Sequence, residues 1–308
     1  MRAFVFPGQG SQTIGMGRAL SEAYPAARAV FDEVDAALGE KLSGLIFEGE
    51  IEELTLTRNA QPALMATSIA AMEALKSEGV AVTDAAFVAG HSLGEYSALC
   101  AAGSLRLDDT ARLLRLRGEA MQAAVPVGEG AMAALLGLDL AAAREVAEAA
   151  AQGETCQAAN DNDPSQVVIS GSRAAVERAL DIAKEKGAKR AILLPVSAPF
   201  HCALMAPAAR AMAEALEGVE IREPAVPLVA NVRAAAVSDP ATIRSLLVDQ
   251  VTGAVRWRES VEFMAGEGVT EFWEIGAGKA LTGMIRRIAK GSATRTVGTP
   301  EDVAAARG

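Results

Sequence analysis

Gly90-His91-Ser92-Leu93-Gly94 places a serine between two glycines, directly after the apolar run Ala85-Ala86-Phe87-Val88-Ala89 and ahead of a helix-compatible stretch from Glu95 to Ala102. A strand that reverses into a helix so abruptly closes only if side-chain-free neighbours let the two elements approach, and it forces the central residue into strained backbone geometry. That is the context of a nucleophile elbow, which constrains the chain to an α/β architecture with Ser92 exposed at a strand tip. The helix N-terminus stands behind the serine, and the Leu93 N–H is free to donate to an oxyanion. The same string also occurs as a plain Gly/Ser turn, so the reading needs partners elsewhere in the chain.

The rest of the pattern fits that architecture. Residues 1–125 alternate short β-like runs with alanine-rich amphipathic helices, among them Gln61 to Ser77 and Leu107 to Ala124. The middle changes character. Ala131 to Leu136 reads as a strand, Leu140 to Gln152 as a helix and Thr155 to Ala159 as a strand. Asn160 to Pro164 then reads as a turn, Gln166 to Ser170 as the hairpin partner, Arg173 to Lys186 as a helix and Ala191 to Val196 as a strand. The order β-α-β-β-α-β, bounded by Pro126 and by Pro195 to Pro199, is the ferredoxin-like plan. We therefore expect a catalytic α/β domain over 1–125 and 197–308, with an inserted ferredoxin-like subdomain over 126–196. The later segment reads as a helix from Cys202, a strand Val226 to Asn231, helices to Gln250 and to Met264, a strand Glu271 to Ile275, and a final helix from near Gly278.

A serine hydroxyl needs a base, most often histidine. The chain has 2 histidines. His91 adjoins Ser92 and points to the opposite side, whereas His201 lies in the strand-to-helix loop Ser197-Ala198-Pro199-Phe200-His201, where catalytic groups are commonly carried. His201 is therefore the expected base. On the helix Leu107 to Ala124, about 100° per residue puts Leu113, Leu114, Ala120, Met121 and Ala124 on one apolar stripe with Arg117 in its middle, and Arg112, Arg115 and Glu119 on the solvated side. An inward guanidinium must find an anion, either an internal Asp or Glu or a substrate carboxylate held bidentately. Gly8-Gln9-Gly10-Ser11-Gln12 fails the dinucleotide fingerprint because Thr13 replaces the third glycine, and Gly276 to Ala280 fails the Walker pattern at Trp273 and Ala280. Both read as close-approach turns, the first able either to bring the Gln9 backbone to the serine or to serve only as a turn.

Composition narrows the partners. A net charge of -10 argues against nucleic acid, and no apolar run approaches the roughly 20 residues of a membrane helix. The amino-terminal strand-like run is too short for a secretory segment, which makes cytoplasmic residence the expectation. Cys100, Cys156 and Cys202 have no metal-ligand spacing, so no metal is expected. An acidic partner would need a local basic patch, for which Lys184 to Arg190 and Arg286 to Lys290 are the candidates.

Taken together, Phe6-Pro7-Gly8-Gln9-Gly10-Ser11-Gln12, Gln61-Pro62-Ala63, Gly90 to Tyr96, Arg117-Gly118, Ser197 to His201 and Glu274 to Lys279 resemble the malonyl-CoA:acyl carrier protein transacylases almost end to end. The resemblance implies an α/β-hydrolase-like large domain with a ferredoxin-like insert. It implies Ser92 as nucleophile and His201 as its partner in a dyad without a carboxylate, a carbonyl of Gln250 orienting the imidazole, Gln9 and Leu93 N–H groups as the oxyanion hole, and Arg117 gripping the malonyl carboxylate. In related polyketide synthase domains a Phe immediately before the histidine, as Phe200 is here, looks like the malonyl type; Ala198-Pro199 stands where those domains often carry His-Ala.

The function implied is ping-pong transfer of malonyl from malonyl-CoA to the phosphopantetheine thiol of holo acyl carrier protein, with no permanently bound cofactor. The alternative is a serine esterase or thioesterase of the α/β-hydrolase class, for which Asp161 or Asp163 would complete a Ser, Asp, His order. A third reading is a non-catalytic carrier-protein-binding module.

Overall fold

In the computed structural model, which describes residues 1–306, ten strands run in chain order among the described residues. They are β1 (Arg2–Phe6), β2 (Phe87–Gly90), β3 (Gly130–Leu136), β4 (Cys156–Asp163), β5 (Gln166–Ser172), β6 (Arg190–Leu193), β7 (Leu228–Ala230), β8 (Ala235–Val237), β9 (Glu271–Ile275) and β10 (Ala293–Val297). They form a six-stranded sheet in the order β10-β9-β1-β2-β7-β8 and a four-stranded sheet in the order β4-β5-β3-β6. In the larger sheet β10 through β7 are parallel and only β8 is antiparallel. The smaller sheet is antiparallel throughout.

The side chains explain why the larger sheet lies inside. Helices cover both of its faces, so its inner strands β1, β2, β7 and β9 are apolar at most positions. Phe4, Phe6 and Val88 join one buried cluster with Leu64 and Met65 of the helix Thr57–Ser77, while Ala3, Val5, Ala89 and Phe272 join another with Trp257 and Met264 of the helix Trp257–Gly266. Each large side chain buried this way is worth roughly 1.5–3 kcal/mol.

The smaller sheet divides its faces by the period of two. Ala131, Ala133 and Leu135 of β3 turn to the helices Leu140–Ala151 and Arg173–Glu185, and Met132 and Ala134 turn to the core of the larger unit. Two ion pairs tie the units together: Asp161 of β4 to Arg258 at 2.8 Å and Asp163 to Arg287 at 2.8 Å, with both aspartates buried. Among the described residues no helix is long and apolar enough to cross a membrane.

Three expectations need correction. Asn160 to Asp163 belong to β4, and only Pro164 and Ser165 make the turn. The strand is prolonged because Asp161 N donates to Val255 O at 2.9 Å and Val255 N to Ala159 O at 2.8 Å, while the two arginines neutralise the acidic side chains. Local turn chemistry loses to tertiary pairing. The helix near Gly278 spans Ala280–Ile288 and is not the last element; β10 and a helix Pro300–Ala305 follow. β10 is an edge strand reading Ala-Thr-Arg-Thr-Val, so it carries almost no apolar signal. Finally, β6 stops at Leu193, and Leu194 to Val196 leave the sheet to wall a cavity.

Candidate active site

The elbow forms where β2 ends, at the carboxyl edge of the parallel sheet, the place where open α/β sheets bind ligands. Ser92 has φ 54, a left-handed value that costs a non-glycine residue about 1–3 kcal/mol and persists only where the surroundings enforce it. They do. A Cβ on Gly90 would lie 1.9 Å from the Gly94 carbonyl carbon, and one on Gly94 would lie 2.3 Å from Phe6 O, so strand, turn, helix and β1 touch through backbone alone. Asn231, directly after β7, locks the turn: its Oδ1 accepts from Ser92 N at 2.8 Å and its Nδ2 donates to Gly90 O at 2.6 Å.

His201, in the loop before the helix Ala206–Glu217, also holds a positive φ, 57, and its Nε2 lies 2.8 Å from Ser92 Oγ. Its Nδ1 faces two carbonyls, Gln250 O at 2.9 Å and Gly253 O at 3.2 Å. Carbonyls only accept, so Nδ1 carries the hydrogen and Nε2 is left as the acceptor for the serine proton. Burial, reinforced by the charge of Arg117, pulls the imidazole pKa down to about 3. Asp161 and Asp163 are engaged with Arg258 and Arg287 instead; the histidine faces carbonyls, and the triad that the esterase alternative would need is not assembled. His91 Nε2 lies 2.8 Å from Asn162 Oδ1, and burial lowers its pKa too.

Arg117 comes from the helix Leu107–Ala123 and is 1% exposed. Its Nη1 donates to Gln61 Oε1 at 2.7 Å, and its Nη2 to Gln250 Oε1 at 2.8 Å and to Ser92 Oγ at 3.1 Å. Among the described residues no carboxylate lies within ion-pair distance of it. Of the two anions weighed for this guanidinium, an internal acid in direct contact is thus not found. Arg115, expected on the solvated side, is instead half-tucked: its Nη1 donates to Arg58 O at 2.7 Å and to Asn59 Oδ1 at 2.5 Å, and it pairs with Glu40. It binds the neighbouring helix because Gly118, one turn on, brings the backbones close; a Cβ there would lie 2.5 Å from Arg58 Cα.

Ser92, His201, Arg117 and Gln61 open on one cavity of about 350 Å³, whose walls include Gln9, Leu93, Met121, Met132, Val196 and Phe200. Among the described residues neither the Gln9 nor the Leu93 N–H donates to a protein acceptor. The Gln9 side chain is anchored by Thr57 Oγ1 at 2.9 Å, and Gly8 packs so near the elbow that a Cβ would meet His91 O at 2.6 Å. The site thus combines a hydroxyl with an oriented acceptor, two unengaged N–H groups and a buried cation. That set suits acyl transfer to and from a serine with an anionic acyl group.

Four participants escape a reading of the sequence: Gln61, Glu95, Asn162 and Asn231. Glu95 and Gln61 lie inside recognised motifs, which is the signal that could have found them. Asn231 had only its position at a strand end.

Residues 3–301 match the family model described as acyl transferase domain. A malonyl CoA-acyl carrier protein transacylase of Bacillus subtilis (strain 168) is 51% identical over 302 residues, 98% of this chain and 94% of the relative. The crystal structure of an acyl-carrier-protein-S-malonyltransferase from Bartonella henselae superposes with TM-score 0.97 at 60% identity, covering 99% of this chain and 98% of that one. A malonyl-transacylase solved in complex with its type II PKS acyl-carrier protein superposes with TM-score 0.96 at 44% identity, covering 99% and 98%. Matches that span almost the whole chain, around a serine elbow faced by a histidine and an arginine, establish that the chain belongs to the acyl transferase domain family and, within it, to the malonyl CoA-acyl carrier protein transacylases.

Proposed function

We propose that this acyltransferase moves the malonyl group of malonyl-CoA to the phosphopantetheine thiol of acyl carrier protein by way of a malonyl-serine ester on Ser92. The observation that carries the reading is Ser92 Oγ, placed 2.8 Å from His201 Nε2 and 3.1 Å from Arg117 Nη2, so that nucleophile, base and anion receptor share one point. Neutral His201 accepts the Oγ proton as Oγ attacks the thioester carbon, and the Gln9 and Leu93 N–H groups receive the oxyanion. The C–S bond breaks, and the proton passes from Nε2 to the departing coenzyme A sulfur. In the second half the carrier thiol gives its proton to His201 and attacks the ester, and Ser92 leaves as its hydroxyl. Arg117 holds the distal carboxylate, and the Gln250 carbonyl keeps the imidazole in its productive tautomer.

Specificity follows from the buried cation. A site whose charged group needs the ligand's carboxylate rejects a neutral analogue by about 10⁴-fold or more, which disfavours acetyl-CoA. Phe200 lines the cavity, and this reading takes its ring, as the resemblance implies, to leave little room for an α-methyl branch.

The finer fold reading is an α/β-hydrolase-like catalytic domain over 1–125 and 197–308 with a ferredoxin-like subdomain over 126–196, supported by the strand order β4-β5-β3-β6. The reading needs no resident cofactor, since malonyl-CoA is a substrate and the phosphopantetheine arrives on the partner. It places the enzyme in the cytoplasm. The acidic carrier docks on a local basic patch; Lys184 and Lys186 are paired with Asp181 and Glu145, and Arg287 with Asp163, while Lys189 and Arg190 are exposed where β6 leads to the cavity wall.

The test is a chase. Enzyme loaded with malonyl-CoA and freed of excess substrate is mixed either with holo carrier protein or with buffer alone, and its intact mass is followed. Rapid loss of the adduct to the carrier with slow loss to water is expected. Equal rates would favour the esterase alternative.

A further inference from the structure

Glu95 follows the elbow on the helix Gly94–Ala101, is 1% exposed, and has no part in the steps above. Its Oε2 accepts from Gln250 Nε2 at 2.8 Å and from Asn231 N at 3.1 Å. The other end of the same Gln250 amide, Oε1, accepts from Arg117 Nη2 at 2.8 Å. One amide therefore stands between a buried carboxylate and a buried guanidinium, its N–H end toward the anion and its oxygen toward the cation. That is the orientation in which its dipole favours both charges. Among the described residues Arg117 has no direct anionic partner, so Glu95 is the counter-charge relayed to it.

We infer that Glu95 is the exchangeable counter-ion of Arg117: ionised, it balances the guanidinium in the resting site, and it takes up one proton from solvent when the malonyl carboxylate arrives. The inference rests on the reading that Arg117 receives that carboxylate. Two carboxylates around one enclosed cation cannot both stay ionised without leaving a net negative charge buried. The incoming one contacts the guanidinium directly, whereas Glu95 does so only through Gln250, so Glu95 is the one neutralised. Both hydrogen-bond donors converge on Oε2, which leaves Oε1 to carry the proton.

Among the described residues, four titratable or charged groups besides Glu95 interact with this network. They are Arg117 from the helix Leu107–Ala123, Tyr96 beside Glu95, and His201 with His91 across Ser92; Gln61, Asn231 and Gln250 are neutral amides. Burial raises Glu95 to about 7, opposed by its bonds from Gln250 and Asn231 and by Arg117. Tyr96 is pushed up to about 12 by burial, and His201 is held near 3. Between mildly acidic and mildly basic pH, Glu95 is thus the member whose charge changes.

The experiment measures kcat/KM for malonyl-CoA divided by kcat/KM for acetyl-CoA from about pH 6 to about pH 8.5, in the wild type, in Glu95→Gln and in Arg117→Ala. The ratio cancels titrations that affect both substrates, and glutamine keeps an acceptor for Gln250 and Asn231. The wild-type ratio is expected to fall about tenfold as pH rises, because ionised Glu95 opposes only the carboxylated substrate. In Glu95→Gln it should change less than about twofold. A wild-type slope surviving in that variant overturns the inference. Arg117→Ala should lose malonyl preference at every pH; if it keeps the preference, the underlying reading of Arg117 fails, which separates the two failures. Should Glu95→Gln not fold, the wild type still decides. In weakly buffered solution near about pH 7.5 with an indicator dye, acylation by malonyl-CoA should take up protons and acylation by acetyl-CoA should not, and equal uptake contradicts the proposal.

Discussion

Enclosure and a nearby guanidinium both disfavour a charged imidazole at His201, so its folded-state pKa lies near 3 against 6.5 for the ordinary side chain. Below about pH 6.5 the unfolded chain binds a proton that the folded chain refuses. This contribution is fully present above that pH and is lost as pH falls toward 3. We expect the stability of wild type relative to His201→Gln to drop by about 2 kcal/mol between pH 7.5 and pH 5, read from urea midpoints. Parallel pH profiles for the two proteins would contradict the assignment. At this scale the sequence was legible where a residue type is rare or out of pattern: His201 is one of 2 histidines, and Arg117 is a charge on an apolar stripe. Glu95 and Gln61 were not legible from periodicity, because a polar side chain satisfied by another polar side chain leaves no trace there; only their place inside motifs pointed to them. The bond that His201 Nδ1 donates to the Gln250 backbone carbonyl could come only from resemblance, since any residue at that position carries a carbonyl.

At the scale of the element, the elbow depends on two glycines that face each other and β1. Gly94→Ala should cost roughly 1–3 kcal/mol or more and slow Ser92 acylation, because the atoms an added methyl would meet are backbone and cannot rotate away. Gly266→Ala is the control: nothing lies within 4 Å of its added Cβ, and within a helix the change should be neutral or stabilising. Urea titrations of both variants with a malonylation assay would test this, and an unperturbed Gly94→Ala would show that the close approach is not required. The helices and most core strands were readable because their apolar periods are long and bounded by glycine or proline. β4 was cut short at Ala159 because Asn and Asp usually turn a chain, and only the distant Val255, Arg258 and Arg287 make that stretch a buried strand. β10 failed for the opposite reason, being a polar edge with little to bury.

Across the whole molecule, the cavity exists because a small antiparallel sheet lies against the carboxyl edge of a large parallel one. Alternation along β3 turns Met132 to the cavity while its neighbours bury against the helices behind, and the Asp161–Arg258 and Asp163–Arg287 pairs fasten the two sheets. This arrangement brings Ser92, Arg117 and His201 together from separate parts of the chain. The central claim is that they form one acyl-transfer site selective for a carboxylated acyl group. Its most direct test is to offer the enzyme equal concentrations of malonyl-CoA and acetyl-CoA and to map the adduct by intact and peptide mass. We predict a malonyl group on Ser92 with almost no acetyl; comparable acetylation, or an adduct on any other residue, would contradict the account.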